Sequence, residues 1–308
     1  MKSPSFDKWI QEFMASDPPR SKSVVMTVFG DAVMPRGGSA WLGSLIELLA
    51  PFGISDRLVR TSVFRLAEEG WLEATRSGRR SLYRMTAPGR RRIERADKRI
   101  YTPSALRWDG RWLLLLTAPE IISAGQRAAL RKELLWEGFG LVSPGVYAHP
   151  GGKEAALEEI LARVGVAGKV LVCSAAESAQ VSSRPLTDLV QHCWQLDAVV
   201  EGYRRFIGCF EPLRDLVHRK GVPEPELAFA VRTLLVHAFR RVQLHDPQLP
   251  LELLPAGWPG TIAYQLSREI YQLVYKEAEQ FISATLQKEE QDVPAAAAYF
   301  YERFGGLA

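Results

Sequence analysis

The 308-residue chain is 47% hydrophobic and 24% charged, with a formal net charge of +4. This is the composition of an ordinary folded protein of two or three domains, and it excludes any need for a disulfide or metal scaffold. Three cysteines without a C-x-x-C pair, no signal-peptide pattern and no apolar run near the ~20 residues of a bilayer span predict a cytoplasmic protein without a membrane partner.

Residues 1–20 are predicted to be an N-terminal arm. An amphipathic stretch ends at Pro18-Pro19 and places four apolar side chains on one face, namely Phe6, Trp9, Ile10 and Phe13. We expect this face to pack on a partner surface such as a second subunit.

Residues 21–101 have the pattern of a winged helix-turn-helix. The predicted elements are a buried helix over 22–34, a helix capped by Ser39 that runs to Leu49, a helix from Ser55 to Glu69, strands near 71–76 and 79–86, and a helix from Pro88 to about Arg99. Such a motif places its third helix in the major groove of DNA, while the hairpin, or wing, contacts the backbone or the minor groove.

Residues 102–180 and 181–308 are predicted to be two further domains, so that the fold class is α+β and multidomain. Between Arg111 and Cys173 the order is strand, helix, hairpin, helix, strand, which is typical of a ferredoxin-like α/β sandwich. Helical periodicity then dominates over 186–220, 224–243 and 260–288.

Two features of the C-terminal helical domain leave their role open. The last long helix has an apolar face from Tyr264 to Phe281 that fits either a core or a dimer interface. The tail after Glu289 is glycine-rich at its end, and we expect it to fray.

The positive charge is concentrated at the N-terminal end. Residues 1–101 contain 18 Lys and Arg against 11 Asp and Glu, a net charge of +7, and the remaining residues contain 21 against 24, a net charge of −3. This asymmetry indicates a polyanionic partner at one end of the chain, although a solvated arginine-rich face would show the same pattern.

The outward face of the third helix carries the residues expected to contact DNA. At 100° per residue the apolar side faces the core, and the other side presents Ser55, Arg57, Arg60, Thr61 and Arg65. Arginine suits this role because its fork matches guanine or a phosphate bidentately, and the free N–H groups of the first turn also bind phosphate. Phe64 also faces outward, and we expect it to pack under the wing rather than to touch a thymine methyl group.

The wing tip adds three cations, Arg76, Arg79 and Arg80, around the glycine that permits its turn. Guanidinium groups there suit phosphates or a narrow minor groove. The alternative is an exposed cationic hairpin without a ligand, but helix and wing indicate the same partner, double-stranded DNA.

Several short segments identify a protein family more specifically than hydrophobic periodicity does. They are Thr27–Ala32 (TVFGDA), Pro35–Gly38 (PRGG), Trp41–Ile46 (WLGSLI), Leu58–Leu66 (LVRTSVFRL), Glu69–Leu72 (EGWL), Asp246–Pro250 (DPQLP), Leu253–Pro255 (LLP) and Trp258–Gly260 (WPG). Through them the chain, from about residue 20 to 285, resembles the PaaX-type repressors of phenylacetic acid degradation operons. It departs from that family at Ser55-Asp56, where Asn-Glu is common.

This resemblance implies a dimeric repressor that occupies operator DNA of phenylacetate catabolic genes on the bacterial nucleoid. It implies a Cas2-like middle domain, which by itself carries no nuclease activity. It also implies an effector, phenylacetyl-CoA or a related aryl-CoA thioester, that releases the DNA, and no cofactor is expected. A ligand can do this only through unequal affinity for two conformations of the protein.

No sequence motif identifies the effector site. A CoA thioester needs cations for its phosphates and an apolar slot for its ring, and the candidates are Trp108, Arg111, Arg127, Arg131, Arg240, His245 and Trp258. Packing, capping or a solvated surface are the alternatives for each. His192, Cys193 and Cys209 lack metal-ligand spacing, and we expect them to pack in the core rather than to hold a metal.

Two other classes of function compete with a ligand-responsive repressor. An enzyme, such as a CoA-ester hydrolase or a nuclease, needs a catalytic constellation, but the sequence has no G-x-S-x-G elbow and no carboxylates with metal spacing. An architectural DNA binder would not need the ~200 residues beyond the DNA-binding end. We therefore predict a regulator rather than an enzyme.

Overall fold

The computed structural model describes residues 5–103, 107–118, 120–151, 153–176, 186–290 and 292–307. The chain forms two compact units. The first comprises residues 1–103, 204–241 and 261–308, and the second comprises residues 104–203 and 242–260. The boundary predicted between residues 180 and 181 lies outside the described residues.

Helices and strands are numbered along the chain. The helices are α1 Phe6–Ser16, α2 Ser21–Val28, α3 Leu42–Leu49, α4 Asp56–Glu68, α5 Ala87–Tyr101, α6 Ala124–Trp136, α7 Glu154–Val164, α8 Leu186–Trp194, α9 Leu196–Lys220, α10 Pro225–Gln243, α11 Pro259–Gln287 and α12 Ala298–Tyr301. The strands are β1 Ser39–Trp41, β2 Leu72–Ser77, β3 Arg80–Met85, β4 Arg111–Thr117, β5 Gly140–Ser143, β6 Val146–His149 and β7 Val170–Ala176. Among the described helices, none combines the length and the apolar character that crossing a bilayer requires.

Helices α2, α3 and α4 and a three-stranded antiparallel sheet form the N-terminal part of the first unit. Val25, Leu45 and Val63 are fully buried where the three helices meet. The strand order is β1-β3-β2, and Gly78, with a φ of 60°, permits the tight turn between β2 and β3. The predicted third helix and hairpin are therefore present as α4 and β2–β3.

Two predicted helices differ from the structure. Ser39 does not cap a helix, because Ser39–Trp41 pairs with Leu82–Arg84 of β3 as an edge strand, and α3 begins only at Leu42. The helix predicted over 22–34 changes its winding at Phe29, where a π-helical turn follows α2.

The N-terminal arm packs on its own chain, whereas its amphipathic pattern predicted a partner surface such as a second subunit. Phe13 is buried, and the Trp9 ring lies 5.3 Å from the ring of Phe210 on α9 of the same chain. The indole Nε1 of Trp9 donates to the carbonyl of Cys209 at 3.2 Å. The surface that covers the arm is therefore the chain's own helix.

The C-terminal tail is also ordered by packing, so the expectation of fraying is wrong for residues 292–307. Phe300 and Phe304 are buried, and the Phe304 ring lies 5.2 Å from the ring of Tyr101. The prediction of fraying relied on the glycines at the end of the tail and did not consider these two large aromatic residues.

The second unit contains a four-stranded sheet of order β5-β6-β4-β7, antiparallel at each pairing. The predicted succession of strand, helix, hairpin, helix and strand is present. One face of the sheet packs on α6 and α7 through a buried cluster that includes Leu115, Leu134, Tyr147 and Ile160. Along β4, the buried Leu113 and Leu115 alternate with the partly buried Leu114 and Leu116, as expected when one face of a sheet is covered more fully than the other.

The helical segments toward the C-terminus depart from the sequence pattern in one place. The run predicted over 186–220 breaks at Gln195, whose φ is 50°, so that α8 and α9 are separate helices. On α11, Ile270, Tyr271 and Val274 are fully buried, which assigns that apolar face to the core rather than to a dimer interface.

The histidine and cysteines that we considered for a metal site do not form one. His192 is exposed, which contradicts the expected core position, and Cys193 and Cys209 are partly buried. Within the described ranges, no three His, Cys, Asp or Glu side chains are grouped as a metal ion would need.

Candidate nucleic-acid interface

Helix α4 turns its apolar side inward and its cationic side to solvent. Val59, Val63 and Leu66 are buried against the helices around them. The predicted contact residues of this helix and its N-cap are all exposed, namely Ser55, Arg57, Arg60, Thr61 and Arg65. The helical periodicity therefore predicted the orientation of α4 correctly.

The arginines of this surface have no anionic partner in the protein. The guanidinium groups of Arg57, Arg60 and Arg65 make no hydrogen bond or ion pair with any part of the chain that the structure describes. Ser55 occupies the N-cap position, yet its hydroxyl caps no backbone N–H, and Thr61 Oγ1 donates to the Arg57 carbonyl at 2.8 Å. Guanidiniums without an internal partner thus extend from the first to the last turn of α4, and they form a surface suited to phosphates and guanine edges.

Short polar contacts hold α4 against α2. Lys22 Nζ lies 2.6 Å from Glu69 Oε1 just beyond the end of α4, and Ser62 Oγ donates to Ser21 Oγ at 3.1 Å. Because Ser62 is buried, its hydroxyl needs this partner. The contacts fix the direction in which the arginine face points.

The three wing arginines are not equivalent. Arg76 and Arg79 are exposed, and their side chains make no hydrogen bond or ion pair with the described residues. Arg80 is exposed as well, but its guanidinium carbon lies 4.4 Å above the Trp41 ring, and its Nη1 donates to the Glu289 carbonyl at 3.1 Å. One of the three predicted wing contacts is therefore already engaged within the protein.

Phe64 contradicts the expectation that it packs under the wing. It lies on the same side of α4 as Arg57 and Thr61, and 59% of its surface is exposed. The wing therefore does not cover this ring.

A buried ionic cluster, which sequence reasoning missed, joins this N-terminal part to the C-terminal helices within the first unit. Asp31 lies at its centre and is 3% exposed. Arg232 Nε of α10 donates to Asp31 Oδ2 at 2.7 Å, and Arg303 Nη1 of the tail donates to Oδ1 at 2.9 Å. The hydroxyls of Tyr101 and Tyr271 donate to the same Oδ1 at 2.7 and 2.9 Å.

Further acidic groups balance the two arginines of the cluster. Arg232 Nη1 donates to Glu279 Oε1 at 2.6 Å, and Arg303 Nη2 donates to Asp97 Oδ1 at 2.5 Å. The second carboxylate oxygen of Glu279 accepts from Arg36. Three cations and three anions thus compensate each other, as buried charges require.

The pKa values of the two aspartates in the cluster are shifted in opposite directions. Burial alone raises the pKa of Asp31, but the charges of Arg232 and Arg303 outweigh it and hold this pKa below its ordinary value. For Asp97, burial dominates over the attraction of Arg303 and raises the pKa. Asp31 is therefore the firmly ionised centre of the cluster.

One signal in the sequence pointed to this cluster. Asp31 is an acid within the apolar stretch 24–34, and a carboxylate buried there needs cationic partners. Nothing in the sequence indicates which of 39 Lys and Arg residues supply them, because the partners lie 201 and 272 positions away.

Arg240, an effector candidate in the first unit, already forms hydrogen bonds within the protein through its guanidinium group. Its Nη2 donates to the carbonyl and hydroxyl of Ser23 at 2.9 and 2.7 Å. Burial lowers the pKa of Arg240 to about 10. On the same helix, burial lowers the pKa of His237 to about 3, and its neutral ring lies 3.1 Å from Thr27 Oγ1.

The other effector candidates belong to the second unit. Trp108 Nε1 donates to the carbonyl of Arg111 at 3.0 Å, and the Trp108 ring lies 5.7 Å from that of Trp112. Arg127 Nη1 donates to the Ile122 carbonyl at 2.7 Å. Arg111, Arg131 and His245 are exposed, whereas Trp258 is 8% exposed and packs 5.9 Å from Tyr203.

Comparisons with known proteins indicate the same family over most of the chain. Family profiles described as PaaX-like protein, PaaX protein central Cas2-like domain and PaaX-like protein C-terminal domain match residues 20–89, 105–187 and 194–284. The chain is 40% identical over 303 residues to Transcriptional repressor PaaX of Escherichia coli (strain K12), with 98% of this chain and 95% of that protein covered. It is similar in structure to Uncharacterized protein Rv0674 from Mycobacterium tuberculosis, with a TM-score of 0.53, 26% identity, and 86% and 98% of the two chains covered.

Proposed function

Since this chain belongs to the PaaX family of transcriptional repressors, we propose that it represses phenylacetate catabolic genes by binding their operators through α4 and the β2–β3 wing. The observation that carries this proposal is the row of exposed arginines without internal partners. In this proposal residues 21–101 act as a winged helix-turn-helix, with α4 in the major groove. The four-stranded sheet and two helices of the second unit serve as a ferredoxin-like, Cas2-like body.

The charges of the interface determine how binding responds to salt. Each phosphate neutralised by an arginine releases condensed counterions, so every contact adds about 0.9 to the slope of log K against log salt. Arg57→Ala and Arg79→Ala should therefore weaken operator binding and lower this slope without unfolding the protein. Arg204, which is exposed on α9, provides the matched control, because Arg204→Ala removes the same charge elsewhere. Equal midpoints for all three variants and the unchanged protein in a gel shift would exclude this interface.

A homodimer would read two symmetric half-sites. Two copies of α4 related by a two-fold axis require a palindromic operator with half-sites about one helical turn apart. A footprint that protects one isolated half-site would contradict the dimer.

The proposed effector is phenylacetyl-CoA or a related aryl-CoA thioester. It releases DNA by binding better to the conformation that cannot place both α4 helices. Trp108 and Arg111 support a contact in the second unit, because the Trp108 indole donates to the Arg111 carbonyl and the Arg111 side chain is exposed. Arg240 is a weaker candidate, because Ser23 already occupies its guanidinium.

A gel shift tests both parts of this function. DNA upstream of phenylacetate catabolic genes is titrated with the protein and then with phenylacetyl-CoA, free phenylacetate or CoA. We expect binding at low salt and release by the thioester alone. Absence of any complex would refute the DNA-binding function, and a complex that no ligand releases would refute the effector. Hydrolysis of the thioester by pure protein would favour an enzyme instead.

A further inference from the structure

We infer that Phe64 is a base-reading residue that contacts the C5-methyl group of a thymine in the major groove. This inference rests on the proposed function, since it requires α4 to lie against DNA. It adds an apolar contact to an interface that otherwise consists of cations and hydroxyls.

The position of Phe64 on α4 places it inside the cationic surface. Seven residues after Arg57, it is rotated by about 20° from that residue and displaced by about 10 Å along the helix axis. Around the axis it lies between Arg60 and Thr61. The ring therefore faces the same partner as the arginines rather than the edge of the surface.

Its exposure and its cationic surroundings leave the ring available to a DNA partner. With 59% of its surface in water, the ring sits among side chains whose charge favours DNA. The ring keeps this exposure although β2 of the wing packs against α4. Of the groups that DNA offers in the major groove, the thymine methyl is the apolar one, and Phe is among the side chains that contact it.

The distance along the helix predicts where this thymine lies. A recognition helix follows the major groove rather than the duplex axis, and about seven residues of such a helix span about two to three base pairs. We therefore expect the thymine about two to three base pairs from the base or phosphate contacted by Arg57, at symmetric positions in the two half-sites.

Replacing single thymines by deoxyuridine tests the contact, because it removes only the methyl group. The probe is the duplex that the protein protects in a footprint, with each thymine of a half-site replaced in turn. For the unchanged protein we expect one position per half-site at which the replacement weakens binding about three- to tenfold. Phe64→Ala should weaken binding to the normal duplex by a similar factor and be insensitive to the replacement at that position.

Leu58→Ala is the matched control. Leu58 is also an exposed apolar residue of α4, 48% exposed, but it is rotated about 120° from Phe64 around the axis. This variant should keep the sensitivity to deoxyuridine. Equal thermal unfolding of the two variants and the unchanged protein shows that the fold is intact.

Three outcomes would overturn the inference. In the first, Phe64→Ala binds as tightly as the unchanged protein; in the second, it keeps the same deoxyuridine sensitivity. In the third, Phe64→Ala changes the mass of the protein in sedimentation and leaves DNA recognition unaltered, which would assign the ring to a contact between copies. Failure of the unchanged protein to bind any duplex would instead refute the proposed function itself.

Discussion

Replacing Asp31 by asparagine removes the negative charge on which two buried guanidiniums converge. The amide keeps the size of the side chain, but its nitrogen would face Arg232 Nε, now 2.7 Å from Oδ2, as donor against donor. Arg232, Arg303 and Arg36 would then share only Glu279 and Asp97, leaving one uncompensated positive charge in the buried cluster.

The expected loss of stability is large. Breaking a buried ion pair from one side typically costs about 3–5 kcal/mol, against a total stability of roughly 5–15 kcal/mol for a folded protein. Because the cluster joins α5, α10, α11 and the tail, we expect Asp31→Asn to lower the free energy of unfolding of the whole first unit. In thermal unfolding this corresponds to a midpoint about 10 °C lower.

Asp17→Asn is the control with the same chemistry in an exposed ion pair. Asp17 Oδ2 lies 2.6 Å from Arg241 Nη1, and the two side chains are 50% and 49% exposed. Screening by water leaves such a pair worth less than about 1 kcal/mol. Urea unfolding followed by circular dichroism compares the two variants. A loss for Asp31→Asn no greater than that for Asp17→Asn would refute the view that the buried charges depend on one another.

Three further predictions concern acid stability, the tail and the wing. Because the folded-state pKa of Asp31 lies below its ordinary value of 3.8, the contribution of its charge to the free energy of unfolding is present above pH 3.8 and is lost as pH falls through the folded-state pKa. The stability of Asp31→Asn should lack this pH dependence, and identical acid-unfolding curves for the variant and the unchanged protein would contradict it. Arg303→Met should lower the urea midpoint by an amount similar to Asp31→Asn, since it leaves Asp31 and Asp97 without their shared cation; no change in midpoint would show that the tail does not stabilise the cluster. In gel shifts, Arg80→Ala should weaken operator binding less than Arg79→Ala, because Arg80 must first give up Trp41 and the Glu289 carbonyl; an equal or larger loss would contradict this exchange.

Local patterns predicted those parts of the chain in which one element determines its own conformation and orientation. The 3.6-residue period of α4 assigned Val59 and Val63 to the core and Arg57 to solvent, and the glycine between two short polar strands predicted the wing. The same reasoning found the order of strands and helices in the second unit. These features depend on neighbours a few residues apart, which a sequence displays directly.

Other features depend on partners that are distant in the sequence, and only the tertiary structure decided them. Ser39–Trp41 became a strand because β3 offered it hydrogen bonds, and the arm found its partner in α9 of the same chain. Phe64 keeps 59% of its surface exposed although β2 packs against α4. The acidic residue Asp31 in an apolar stretch predicts that cations must compensate its charge. Which arginines do so depends on how α10 and the tail pack together. The physical reason is that charge pairing depends on distance in space and not on separation along the chain.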